Sequence, residues 1–274
     1  MKNSSFRWSN PDLFNKYNDK FDVPRVIAEG ISSSDLERAR VMRMTELLSE
    51  PLPEDVSHFN DPTKLLIELR RRIPAALVPD FLAQIPNLDH GADSDNPIDK
   101  VNTLWKKLRR DLRILCLSVS PNLDSMWLHY AENHAGMVIE VSCLPIFDSV
   151  WLAAREVIYT DEPRALTTAE GWADAILHDT NKAISRMFDD YILKKSLSWA
   201  SEQEYRVITY ENSDNGEQHS DMHFHPFHFS AIYLGAEMEA VDRNEVAELA
   251  CARYPWVKVM QAKLGNTRIQ FDPA

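Results

Sequence analysis

The stretch "KKSLSWASEQEYRVITY", Lys194 to Tyr210, decides how the chain is read. Its end, "EYRVITY", is rich in β-branched and aromatic side chains and predicts a strand. If that strand starts at Glu202, its period of two places Glu202, Glu204 and Arg206 on one face, with Gln203, Tyr205 and Val207 on the other. Alternate residues lie about 6.5 to 7 Å apart along a strand, so the two carboxylates can bracket one reacting atom and its neighbour. Arg206 favours the ionised form of Glu204 and holds its orientation. Trp199, just upstream, offers a flat apolar wall. The alternative is a solvated strand face carrying a surface ion pair.

Working outward, the texture of the chain changes near residue 113. From about Ser32 to Arg113 apolar positions recur at three and four, as in "TKLLIELRRRIPAALVPDFLAQI", which predicts helices. Beyond it lie short β-branched runs bounded by turn formers: "ILCLSVS" from Ile114, "GMVIEVS" from Gly136, "REVIYT" from Arg155, "HFSAIYLG" from His228 and "VKVMQAK" from Val257. A long helical pattern from Thr168 to about Lys195 interrupts them, and "DRNEVAELACARY" predicts a helix opened by Asp242 or Asn244. The expectation is one α+β domain over 1–274, helix-rich to about 113 and sheet-rich from about 114, with helices inserted into a mixed sheet.

Composition narrows the function classes. Among 274 residues, 42 acidic against 30 basic side chains give a formal charge of -12, a field that repels a phosphate backbone at long range. Loose nucleic-acid binding is therefore not expected, although "KKLRRDLR", Lys106 to Arg113, offers a local basic patch. Three cysteines without CxxC spacing suit a reduced compartment. With no apolar run long enough for a signal peptide or a membrane span, a soluble cytoplasmic protein is expected.

Three further segments carry candidate chemistry. In "SVSPNLDSMWLHYAENHAGMVIEV", residues Asn122 to His134 predict a short helix placing Trp127, Tyr130 and His134 on one face and His129 with Asn133 beside it. That face suits either partial-core packing or a ligand. In "HFNDPTKLL", Asp61 is expected to cap a helix with Pro62 at its first position, which leaves Asn60 without a structural task. In "MHFHPFHFS", His223 and His225 share a strand face, yet no further ligand completes a zinc set and no metal is expected.

Taken in series, "FNDP", "CLSVSPNLDSMWLHYAENHAGMVIEV", "REVIYTDEP", "KKSLSWASEQEYRVI" and "FSAIYLG" resemble the bacterial family known as domain of unknown function 2971. "FNKYN", Phe14 to Asn18, matches that family's opening aromatic-Lys-Tyr segment and brings in Tyr17. The order of motifs is in turn similar to the ADP-ribosyltransferase fold, whose split, mostly antiparallel sheet clamps NAD and whose late Glu-x-Glu strand serves the reaction. The resemblance implies that Glu204 stabilises an oxocarbenium-like ribosyl cation and that Glu202 orients or deprotonates the acceptor. It further implies that Trp127 or Tyr130 stacks on nicotinamide, with His129, Asn60, Tyr17 and Arg206 as further NAD contacts. NAD would be the substrate and the acceptor a macromolecule, either nucleic acid or protein. The family setting suggests an effector or toxin used against phage or competing cells, with an antitoxin protein as a neutralising partner. The reading from a different class is a non-enzymatic module that binds a peptide or nucleotide at Trp127 and Tyr130, with Glu202, Glu204 and Arg206 as an ion-paired scaffold.

Overall fold

The structure is a computed structural model that describes residues 4–14, 23–27, 29–49, 51–87, 97–147, 149–211, 216–265 and 268–274. Its helices in chain order are α1 (Ser33–Leu48), α2 (Asp61–Arg72), α3 (Val78–Gln84), α4 (Pro97–Asp111), α5 (Asp124–Tyr130), α6 (Ala169–Leu177), α7 (Thr180–Tyr191) and α8 (Ala240–Arg253). The strands are β1 (Ser5–Ser9), β2 (Leu112–Ser118), β3 (Met137–Val141), β4 (Arg155–Glu156), β5 (Ile158–Tyr159), β6 (Lys194–Lys195), β7 (Glu204–Tyr210), β8 (His219–His223), β9 (Phe229–Leu234), β10 (Lys258–Leu264) and β11 (Ile269–Pro273). The class is α+β, with antiparallel pairing everywhere except between β9 and β10 among the described ladders. No described helix is long and apolar enough to cross a membrane.

The chain divides into two compact units whose boundaries are not those of the sequence texture. A sheet unit comprises Met1–Lys20, Asp111–Thr160 and Lys195–Ala274, and a helical unit comprises Phe21–Arg110 and Asp161–Lys194. The mid-chain helical insertion thus joins the N-terminal helices, whereas the N-terminal strand β1 joins the sheets.

Two larger sheets build the sheet unit, in the orders β4-β7-β2-β1-β8 and β11-β10-β9-β3, and the short strands β5 and β6 pair as a third. On the first, alternation sends Phe6 and Trp8 of β1, Leu115 and Leu117 of β2, Val207 of β7 and Met222 of β8 to one apolar face. Val141 of β3, Trp151, Ala154 and Phe224 complete that cluster. The opposite face carries Cys116 and Ser118, which pair with Arg206 and Glu204 across the β2–β7 ladder. The second sheet is covered on both sides. Ile232 and Leu234 of β9 pack with Ala250 of α8, while Trp127 and Ala131 at the end of α5 pack with Ala262 and Ile269.

The helical unit closes around Met44, Leu48, Phe59, Ile67, Ile85 and Leu177. The helix expected to run from Thr168 to Lys195 breaks at His178 and Asp179, which are extended. Tertiary pairing overrides propensity there: Phe59 forms a β-bridge with His178, and Asp179 N–H donates to the His58 carbonyl at 3.1 Å. Asp179 then caps α7 by accepting from Lys182 N–H.

At the head of α2 the cap is Asn60 rather than Asp61. The Asn60 side chain accepts from Thr63 N–H at 2.9 Å and donates to the Ile176 carbonyl at 2.7 Å. Both ends of the amide are therefore employed in the fold. Replacing Asn60 by Ala is expected to cost about 1 kcal/mol, the usual worth of such a cap. Urea unfolding checks it, and an unchanged midpoint would show that the cap carries no stability.

The basic patch is also smaller than its sequence suggests. Arg109 is buried and donates to the Val23 carbonyl, while Arg113 is fully buried against Ser220 and the carbonyls of Leu112 and Glu217. Lys106, Lys107 and Arg110 remain exposed.

Candidate functional site

The acids of the opening stretch converge in the sheet unit, but by a different route from the one the period of two implies. Strand β7 starts at Glu204, while Glu202 ends a 3₁₀ turn over Leu197–Glu202. Between them Gln203 takes a left-handed conformation, with φ 43°. This reversal removes Glu202 from the ladder, so Glu202, Glu204 and Arg206 do not share one strand face as expected. What reunites the acids is Lys195, at the end of β6. Its Nζ donates to Glu202 Oε2 at 2.5 Å and to Glu204 Oε2 at 2.9 Å.

The remaining carboxylate oxygens also have partners. Arg206 Nε donates to Glu204 Oε1 at 2.7 Å, and the Tyr130 hydroxyl donates to Glu202 Oε1 at 3.1 Å. Glu202, Glu204 and Arg206 are only 3%, 4% and 5% exposed. Both acids are therefore buried, and the surface-ion-pair alternative fails for them.

Burial at this depth raises a carboxyl pKa, yet Arg206, by charge and hydrogen bond, and then Lys195 outweigh it and hold Glu204 at about 2. The Lys195 ammonium is pulled down by burial but raised by Glu204 and by its bond to Glu202, ending above its ordinary value. Burial, followed by the charges of Glu202 and Glu204, raises the Tyr130 hydroxyl. At neutral pH the cluster therefore holds an anionic Glu204, a cationic Lys195 and Arg206, and a protonated phenol.

Around the acids lie groups that the sequence did not single out. Tyr159 Oη accepts the Glu204 backbone N–H at 2.7 Å. The Cys116 thiol bonds to Glu204, and desolvation followed by the Glu204 charge pushes it well above the ordinary thiol range. Cys116 itself is exposed to solvent. The Lys195 Nζ stands 5.1 Å from the Trp199 ring centroid, and His129 meets that ring edge-on at 5.8 Å. No spacing rule connects Lys195, Tyr159 or Cys116 to the acids. Of these neighbours, the sequence had marked Trp199 and His129.

The structure redistributes the other candidates. Trp127 is fully buried, stacks on His134 at 5.9 Å and donates its indole N–H to the Pro121 carbonyl at 2.7 Å. It is a core residue and offers no face for a nicotinamide ring, a correction to the sequence expectation. Tyr130, 61% exposed, points its hydroxyl into the cluster instead. Helix α5 stops at Tyr130 rather than His134, and Glu132, Asn133 and His134 all have positive φ. That turn nests against Gly235, where a Cβ would lie 1.9 Å from the His134 carbonyl oxygen. A further tie, from Ser125 Oγ to the Ser201 carbonyl at 3.1 Å, joins α5 to the 3₁₀ turn.

Asn60 lies in the helical unit and is occupied by capping, while Tyr17 falls outside the described residues. Of the histidines near residue 225, His228 is bonded to the Ser142 carbonyl and His225 caps a short turn at Phe227 N–H. No group of potential metal ligands occurs among the described residues.

The site is thus a buried pair of carboxylates bridged by one lysine, on an α+β sheet unit. Residues 126–207, which match the model of a family described as protein of unknown function (DUF2971), span it from α5 to the middle of β7. The family resemblance read from the motifs is borne out over that segment, which contains Tyr130, Tyr159, Lys195, Trp199, Glu202, Glu204 and Arg206. No protein with a curated description and no solved structure matches the chain.

Proposed function

We propose that the chain is an NAD-dependent, ADP-ribosyltransferase-like enzyme that modifies a macromolecular acceptor, a nucleic acid or a protein. The observation that carries the reading is a pair of buried carboxylates converging beside a partly buried indole and a tyrosine hydroxyl. Cleaving the bond between ribose and nicotinamide sends the bonding pair to an already cationic ring nitrogen, so the leaving group needs little acid help. What the step needs is fixed negative charge beside the developing ribosyl cation. Glu204 suits that role because Arg206 keeps it ionised far below neutral pH. Glu202 then takes the proton of the acceptor nucleophile as that nucleophile bonds to the ribose carbon. Trp199, in place of Trp127, supplies the stacking face. An effector or toxin role, with a neutralising protein partner, extends the same reading.

A second reading, the non-enzymatic recognition module, is favoured by one observation: both oxygens of each carboxylate already have partners, as a scaffold requires. Purified protein incubated with labelled NAD and separate protein and nucleic-acid extracts separates the two. The transferase releases nicotinamide and labels one extract, and Glu202→Gln with unchanged circular dichroism lowers that rate by about 10²- to 10³-fold, as for loss of a transition-state partner. No nicotinamide release and no label in any extract would leave the recognition module as the function.

A further inference from the structure

The charges at the acid pair balance through Lys195. Glu202 and Glu204 bring two negative charges and Arg206 one positive charge, and the Lys195 ammonium supplies the second. That ammonium rests between two carboxylate oxygens and over the face of Trp199. Anionic oxygens on one side and an indole on the other are the elements of a receptor for an organic cation. In this structure the receptor is filled by the chain's own side chain.

The two resident cations are held differently. Arg206 grips Glu204 with a planar, buried guanidinium at 2.7 Å, a geometry that resists exchange. Lys195 presents a compact head on a flexible four-carbon stem, and its side chain keeps 12% exposure. Its backbone is fixed separately, because Thr160 N–H donates to the Lys195 carbonyl at 3.0 Å. The head can therefore leave while β6 stays paired.

We propose that Lys195 is a displaceable counter-cation, and that the place of its ammonium between Glu202, Glu204 and Trp199 is a subsite for a flat, singly charged organic cation of the pyridinium class. A flat ring can lie on the indole while presenting its charge to both acids. A calcium or magnesium ion is a poorer occupant, since either prefers a shell of six or more oxygens, of which the two carboxylates supply few. The pyridinium identity rests on the transferase reading, in which NAD carries such a ring. Lys195 then acts as a gate that keeps the acids neutralised until a cation of matching charge replaces it.

The test uses 1-methylnicotinamide as the cationic probe and nicotinamide as its neutral counterpart, titrated by calorimetry into the full chain. The cation is expected to bind at least about tenfold more tightly than nicotinamide, a difference of about 1.4 kcal/mol. Lys195→Gln, which removes the competing charge, is expected to tighten 1-methylnicotinamide further by about tenfold, and Glu202→Gln to weaken it. Equal binding of the two probes, or no gain in Lys195→Gln, overturns the proposal. Should Lys195→Gln fail to fold, reductive methylation of the unmodified protein decides. Lys195 is expected to react several-fold faster with saturating 1-methylnicotinamide, and an unchanged or slower rate overturns the idea. Displacement of Lys195 without any NAD turnover would support the subsite while counting against the transferase reading, and turnover without displacement would sink the subsite alone.

Discussion

Arg206→Met is expected to unfold the sheet unit about 10 °C below the unmodified protein, as removal of one partner of a buried ion pair costs about 3–5 kcal/mol. The cost arises because Glu204, 4% exposed, would keep its charge with Lys195 as its remaining cationic partner among the described residues. The acid limb gives an independent check. With its pKa lowered from 4.5 to about 2 in the folded chain, Glu204 contributes about 3 kcal/mol that is present above pH 4.5 and lost as pH falls through 2. Removing Arg206 raises the folded pKa, so acid unfolding should begin at a higher pH. Scanning calorimetry at neutral pH with a tryptophan-fluorescence acid titration measures both. A loss below about 1 kcal/mol with an unmoved acid limb would place the pair among exposed, weakly contributing bridges.

Trp127→Ala is expected to cost about 3–5 kcal/mol, the range for removing a large buried aromatic. Its indole fills the space between Ala131, Ala262 and Ile269 and stacks on His134. Trp199→Ala, at a partly buried position, should stay within about 1 kcal/mol of the unmodified protein while abolishing binding of the pyridinium probe. The pair of variants thus distinguishes an indole that holds the fold from one that holds a ligand. Urea unfolding and titration calorimetry supply the two readouts. Reversed results, with Trp127→Ala mild and Trp199→Ala severe, would restore the stacking role first assigned to Trp127.

Much of the sheet was legible. Strand β7 over Glu204–Tyr210, with β3, β9 and β10, announces itself by β-branched and aromatic runs between turn formers. Strands β1 and β8 were not recognised, since "SFRWS" and "HSDMH" are only five residues each and become strands through pairing with each other and, for β1, with β2. The same limit governs the site. The acids and Arg206 were found from alternation, but nothing local marks Gln203 for a left-handed conformation or ends α5 at Tyr130. Nor does any periodicity connect Tyr130 with Glu202, which are 72 residues apart.

The sequence by itself determined that two carboxylates and an arginine stand at the head of a strand, close to an indole and within a segment that resembles a known family. Patterning of this kind is local, set by backbone periods of two and of three to four residues. Only the tertiary structure decided that Lys195 bridges the acids, that Trp199 rather than Trp127 faces them, and that the mid-chain helices join the N-terminal ones. Those outcomes depend on which distant segments return to the same place. There, charge is neutralised and apolar surface is covered by partners that no sequence spacing specifies.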